Sequence, residues 1–497
     1  MHRRILALSG VLLTGGVLVA SPAHAVSGGT ASPAGYLARI TTPTKACSAA
    51  LIDPSWVITA ATCLAATDTG APTENPTVDN GAGFTTKLTK VIRRSDRDVA
   101  LAKLEKPANG VATVPVSGTA PKNGDTLQLA GFGRTATEWV PARPSVAAFT
   151  VASVSATEVS VTGSADTCLG DAGGPALRQV GDHVELVAIN SRSWQHGCLA
   201  VTETREGSTD ARTDDLTGWI RQNTVPTPVS CPQGAVIWDD MADGTLWRHL
   251  HRDPVGGTPS WTEPTTSSGT GWFGRPIAGK DGVLWDVHRK YDANDPFGDG
   301  ILKRWKWDGT QLTGGNQVGN GWERYLTPEF RNRITVDQAG RIFMINDQAE
   351  LRVFIWDDAA GWWVNGVGQV LDTGWTKFDS ITAAGDGVLF ARTPNGDLYR
   401  FQYDFGTGKW TQRDKQVGTG WQMFSGIFSP GADILYGRGS TGPSPWGGQD
   451  GPILRWYRYS ANTGSWLPVG SNGTSVGSGW NTDLHATAAP DSCRLVS

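Results

Sequence analysis

Three groups of residues in this 497-residue chain have the types and spacing to do chemistry. The decapeptide DTCLGDAGGP, Asp166 to Pro175, sets two carboxylates and a cysteine in a glycine-rich loop that carries no serine. Acyl transfer needs a nucleophile, a general base within hydrogen-bond reach and a carboxylate to orient that base. The second group is six cysteines, an even number that predicts disulfides in an exported chain. The third is 22 tryptophans, whose faces suit the C–H surfaces of sugars but equally suit packing between sheets. No metal-ligand cluster, P-loop or dinucleotide fingerprint accompanies them, so no metal and no cofactor are expected.

The elements that position these groups are predominantly strands. Sixty-three glycines, four methionines and a charged fraction of 18% disfavour a helical bundle and favour short strands joined by tight turns, an all-β chain. The length predicts two to four domains. A net charge of -4 without a later basic run leaves no electrostatic footprint for nucleic acid or an anionic membrane. Residues 1–25 combine a basic start, an apolar run from Ile5 to Ala20 and the small-residue triplet Ala23-His24-Ala25. They read as a secretory signal peptide cleaved before Val26, and no other stretch is long enough to span a membrane. A secreted, extracellular protein is expected. Six cysteines allow fifteen connectivities; their grouping favours Cys47 with Cys63, Cys168 with Cys198, and Cys231 with Cys493.

The segment VPTPVS, 225–230, is a proline-stiffened linker. Four tryptophans precede it and 18 follow it, so two domains with different packing are predicted, over 26–224 and 231–497. Beyond the linker a Gly-Trp unit recurs, ending at Trp272, Trp322, Trp375, Trp421 and Trp480, at intervals of 50, 53, 46 and 59 residues. Turn-and-strand segments recur between them, such as GDGVLFAR (385–392) and GADILYGR (431–438). Units of this length, each with several strands, predict a β-propeller of five blades. Its last blade is incomplete at the C-terminus and is completed by GAVIWDD (234–240) and GTLWRHLH (244–251), with Cys231–Cys493 locking the ends together.

The first half holds, in order, ACSAALIDPSWVITAATC (46–63), DVALAKL (98–104), AGFG (130–133), DTCLGDAGGPAL (166–177), SWQHGC (193–198) and LTGWIRQN (216–223). On these motifs it resembles the trypsin-like (chymotrypsin-fold, peptidase S1) serine proteases, which implies two packed six-stranded β-barrels. The resemblance makes Asp98 the orienting carboxylate. It also places Thr62 where the family holds its histidine and Ala172 where it holds its serine. The only histidines in this half, His183 and His196, lie in segments remote from Asp98. A serine protease homologue without proteolytic activity is therefore implied. Gly170 and Ala172 keep the backbone amides of an oxyanion hole, and Asp171 stands where the family pairs a buried aspartate with the N-terminal amine, here of Val26. Asp166 corresponds to the acidic floor of a pocket for basic side chains, whose wall, Ser193-Trp194-Gln195, puts Gln195 where glycine is usual.

The second half is similar to tachylectin-2, a five-bladed lectin, on VGTGWQMF (417–424) followed by SPGADILYG (429–437). This implies carbohydrate binding, to glycans of the N-acetylglucosamine and N-acetylgalactosamine type, with Trp272, Trp322, Trp375, Trp421 and Trp480 as candidate contacts. Taken together, a secreted lectin carrying an inactive protease-like domain is expected, with glycans and basic peptide or protease partners implied by the two resemblances. The rivals are a divergent secreted serine endopeptidase targeted to glycan surfaces, and a structural adhesin that uses neither site.

Overall fold

The computed structural model describes residues 30–31, 35–64, 69–164, 166–262, 266–288, 300–442, 451–468, 472–480 and 483–496. The leader and Val26 lie outside them. The chain forms two compact units, Met1–Thr224 and Val225–Ser497.

The first unit is two antiparallel barrels. In the first, Leu37–Thr41, Ala46–Asp53, Trp56–Thr59, Thr77–Asp79, Thr85–Arg93 and Ala100–Leu104 form a closed ring of six strands. Alternation along Thr85–Arg93, exposed then buried, shows how one face fills the barrel. Ala49, Val57, Ile58, Val78 and Val91 form its fully buried centre. The second barrel closes six strands from Thr126–Gly131 to Ser208–Arg212 around Leu129, Phe149, Val161 and Val187. A helix, Thr217–Thr224, ends the unit.

The second unit is a propeller of five blades, four of them four-stranded and the one beginning at Gly426 five-stranded. Four are continuous in sequence, beginning at Arg275, Ile334, Ser380 and Gly426. The fifth joins both ends of the unit: Ala235–Met241, Leu246–His251 and Thr266–Ser267 come from the front, and Asp483–Ala488 is its innermost strand. Only one strand thus returns from the C-terminal side. Cys231–Cys493, with Cα atoms 4.3 Å apart, ties the closure, and Cys47–Cys63 and Cys168–Cys198 are the other two disulfides. Between the last two continuous blades Arg400 makes a bidentate pair with Asp433, at 2.8 and 3.0 Å. Both side chains are almost wholly buried, so each needs the other to remain charged there.

The repeat Gly-X-Gly-Trp now has a physical cause. The glycine before each tryptophan, at 271, 321, 374, 420 and 479, has φ between 78° and 92°, a conformation side chains other than glycine resist. The earlier glycine carries the indole: a Cβ on Gly319, Gly418 or Gly477 would stand within 2.7 Å of the nitrogen of Trp322, Trp421 or Trp480.

Candidate functional sites

In the first unit a short 3-10 turn, Ala61–Cys63, sets Thr62 against Asp98. The Thr62 amide donates to Asp98 Oδ1 at 2.8 Å, and its hydroxyl donates to Oδ2 at 3.0 Å. Ser191 Oγ donates to the same Oδ2 at 2.8 Å. The carboxylate therefore has three donors and no base to orient. His183 sits near Asp182 and Glu185, and His196 near Glu206, so neither reaches Asp98. Ala172 ends in a methyl group, which can neither attack a carbonyl nor receive a proton.

The loop around Ala172 keeps its backbone form. Gly170 has φ of 101° and its carbonyl accepts from Ser48 Oγ at 2.9 Å. Among the described residues the amides of Gly170 and Ala172 donate to no acceptor, as an anion-receiving pair would require. Asp171 lies beneath them, 1% exposed, accepting from the amides of Gly133 and Cys168 at 2.8 Å each. Burial raises its carboxyl to about 7, against the opposing pull of those two amides. The glycines of AGFG are needed here, because a Cβ on Gly133 would approach the Asp171 carboxyl carbon to 2.4 Å. Gly133→Ala is expected to cost about 1–3 kcal/mol of first-unit stability, measured by urea unfolding.

Asp166 is not open to a ligand side chain. It is 1% exposed, with Oδ1 taken by the Gly207 amide at 2.7 Å and Oδ2 by the His196 amide at 3.1 Å. Gln195, at φ of 63°, accepts from Arg134 Nη2 at 2.8 Å, and Arg134 lies over the ring of Trp139. The retained acid therefore holds two backbone segments together.

Two features escaped the sequence reading. The serine that faces Asp98 is Ser191, whereas Ser193, placed in the pocket wall by its Ser-Trp context, turns to the carbonyl of Thr167 at 2.5 Å. A register shift between Asn190 and Arg192 re-aims the side chains there. The second is a buried polar chain in which Asn190 Nδ2 donates to Thr167 Oγ1 at 3.0 Å and to Asp210 Oδ1 at 2.9 Å. Asp210 is fully buried, its Oδ2 has no hydrogen-bond partner among the described residues, and burial raises its carboxyl to about 7.

In the propeller the five repeat tryptophans are between 2% and 8% exposed, so most of each ring packs against its blade. Trp421 lies 4.7 Å from Tyr457 and 5.2 Å from Trp466; Trp322 lies 5.4 Å from Phe354 and 6.3 Å from Trp363. The outer-strand indoles hold the repeat from above. Trp363, Trp466 and Trp261 donate to the carbonyls of Val318, Val417 and Val476 at 2.7, 2.5 and 2.7 Å.

Two of these aromatic groups border open clefts. The Trp322 cleft, about 450 Å³, adds Asn346, Gln348 and the pair Arg324–Asp347 at 2.8 Å. The Trp421 cleft, about 400 Å³, has Met423 where the first has Arg324, and adds Thr419 and Asn472. Both offer aromatic edges beside placed polar groups, the combination that sugar recognition requires. Among the described residues no helix is long and apolar enough to cross a membrane, and no acid, histidine or cysteine cluster could hold a metal.

Family models match both halves: Trypsin over residues 26–220 and Tachylectin over 241–485. Among solved structures, a similar chain is neuropsin, a serine protease expressed in the limbic system of mouse brain. It is 22% identical, with 38% of this chain and 94% of neuropsin covered and a TM-score of 0.32. No curated protein sequence matches the chain.

Proposed function

We infer, from a chain that joins a trypsin-family domain to a tachylectin-family domain, that this protein binds carbohydrate through its propeller and does not cut peptides. The observation that carries the binding half is the recurrence of one aromatic-walled cleft beside Trp322 and again beside Trp421. Similarity to tachylectins supports N-acetylhexosamines as the ligand class. Several weak sites on one ring would give avidity on a repetitive glycan surface. The three disulfides and the lectin and trypsin-like domains fit an extracellular protein, and secretion through residues 1–25 belongs to the same proposal.

For the protease-like half, the support is the loss of base and nucleophile together, with Thr62 and Ser191 satisfying Asp98. Asp171 remains the proposed partner of a new amino terminus at Val26. Such a pair would neutralise a carboxylate that is otherwise costly to bury.

Binding is tested by titrating N-acetylglucosamine and N-acetylgalactosamine into the full chain. Asp347→Asn, which breaks the pair with Arg324, is expected to weaken the Trp322 cleft by about tenfold or more and leave the Trp421 cleft unchanged. Calorimetry should then show one site lost and one kept. Absence of binding to either sugar, across a glycan panel, sinks the lectin reading.

A further inference from the structure

The clefts beside Trp322 and Trp421 open on one face of the ring, because each Gly-Trp unit joins the outer strand of one blade to the inner strand of the next. The turn between a blade's first and second strands, and the stretch after its third, lie on the other face, since neighbouring strands are antiparallel. A third cleft, about 340 Å³, opens on that other face between the blades beginning at Arg275 and Ile334. Trp285 and Arg304, at paired positions of the second and third strands, form its floor. Ala339 and Gly340 from the first turn of the next blade, with Trp356 and Asp358 past that blade's third strand, form its rim.

The sister interface, between the blades beginning at Ser380 and Gly426, shows why this one is open. There Phe390 and Arg400 hold the paired positions, and Arg400 is taken up by Asp433 in the first turn of the next blade. In the blade beginning at Ile334 that turn presents Ala339 and Gly340, and its one acid, Asp337, is held by Arg341 at 2.9 Å. Arg304 therefore reaches outward to Asp358 at 2.5 Å, whose side chain is 63% exposed. The buried Nε of Arg304 has no hydrogen-bond partner among the described residues. Its guanidinium lies 5.8 Å from the ring centre of Trp285, which stacks on Trp363 at 5.7 Å; Trp363 stacks in turn on Trp322 at 6.3 Å. One column of indoles thus backs two clefts on opposite faces.

We propose that this cleft binds one neutral hexose through its hydroxyls, without need of an acetamido group. The Arg304–Asp358 pair sets donors and an acceptor side by side at the surface, an arrangement that adjacent hydroxyls of a pyranose satisfy together. Trp285 and Trp356 supply aromatic surface for its C–H groups. Two cations, Lys280 and Arg304, and two acids, Asp357 and Asp358, line the cleft, which suits an uncharged ligand. It is the smallest of the three clefts, and no asparagine or glutamine lines it, whereas Asn346 and Gln348 line the Trp322 cleft and Asn472 the Trp421 cleft. The amide partners that an acetamido group would use are thus confined to the other face. Site and ligand class both lie outside the lectin reading above, so each can fail alone.

The test is titration of galactose, glucose and mannose, each separately, against the full chain by saturation-transfer NMR. At least one is expected to bind. Asp358→Ala should weaken that binding by about tenfold or more. Ala339→Phe, which adds a ring at an exposed rim position, should block it, and Lys409→Gln, on the outer strand of another blade, should leave it unchanged. Circular dichroism confirms that each variant is folded before titration. N-acetylglucosamine, titrated alongside, reports on the other face and should bind the Asp358→Ala chain as it binds the unaltered one. No binding of any of the three hexoses, or binding that survives either Asp358→Ala or Ala339→Phe in a folded protein, overturns the proposal.

Discussion

A chain carrying both Thr62→His and Ala172→Ser is expected to react with a fluorophosphonate probe, whereas the unaltered chain and either single variant are not. The expectation rests on how much of the machinery remains. Asp98 is in place, Ser191 holds one of its oxygens, and the Thr62 amide holds the other. A histidine at 62 would take over the bond that the Thr62 hydroxyl now makes. The amides of Gly170 and Ala172 have no internal acceptor among the described residues, so they are free to receive the developing charge. Loss of serine or histidine alone removes on the order of 10⁶ in turnover, because the two act as a unit. Restoring only one should therefore gain little, and restoring both should gain several orders of magnitude. Labelling of the unaltered chain would establish the divergent endopeptidase instead. A folded double variant that stays unlabelled would show that the loop has lost its catalytic geometry as well as its side chains.

Asp210→Asn should reverse sign with pH in its effect on the first unit. The carboxyl of Asp210 is raised in the folded state to about 7 from an ordinary 3.8, chiefly by burial, with the Asn190 amide pulling the other way. A raised acid contributes fully to stability below its unfolded value and loses that contribution as pH climbs through the folded value. The sensitive window therefore runs from about pH 4 to pH 7, with stability falling upward. Ionised at pH 8, the group costs up to about 4 kcal/mol. Asparagine keeps an oxygen for Asn190 Nδ2 and removes the charge, but its own amide group meets no acceptor, at about 1–3 kcal/mol. The variant should fall below the unaltered protein by about 1–3 kcal/mol near pH 4 and exceed it near pH 8. Urea unfolding of both proteins across that range checks this, and parallel curves would refute it. Asp171, raised for a similar reason, is common to both proteins and cancels in the difference.

The boundary between what could be read from sequence and what could not follows physical range. The three disulfides and the five-blade count were legible because each rests on a local or recurring motif. Ser191 was not, since a shift in strand register decides which of two serines faces Asp98, and alternation cannot be read through a bulge. Asp210 was equally hidden: its partner Asn190 is 20 residues away, and Thr167, which Asn190 also bonds, lies 23 residues before Asn190, brought together only by the barrel. The tryptophan repeat announced its own recurrence but not its depth. Only the fold shows that the rings are mostly packed and that Trp322 and Trp421 border open clefts.

The closing blade has a topological consequence. With one strand from the far end of the unit set among three from its beginning, and Cys231 bonded to Cys493, entry and exit of the ring meet at one point. The propeller is then a loop whose order of blades matters and whose starting blade does not. Residues 231 and 493 could be joined directly and the chain opened between any two other blades, giving circularly permuted rings with the same neighbours throughout.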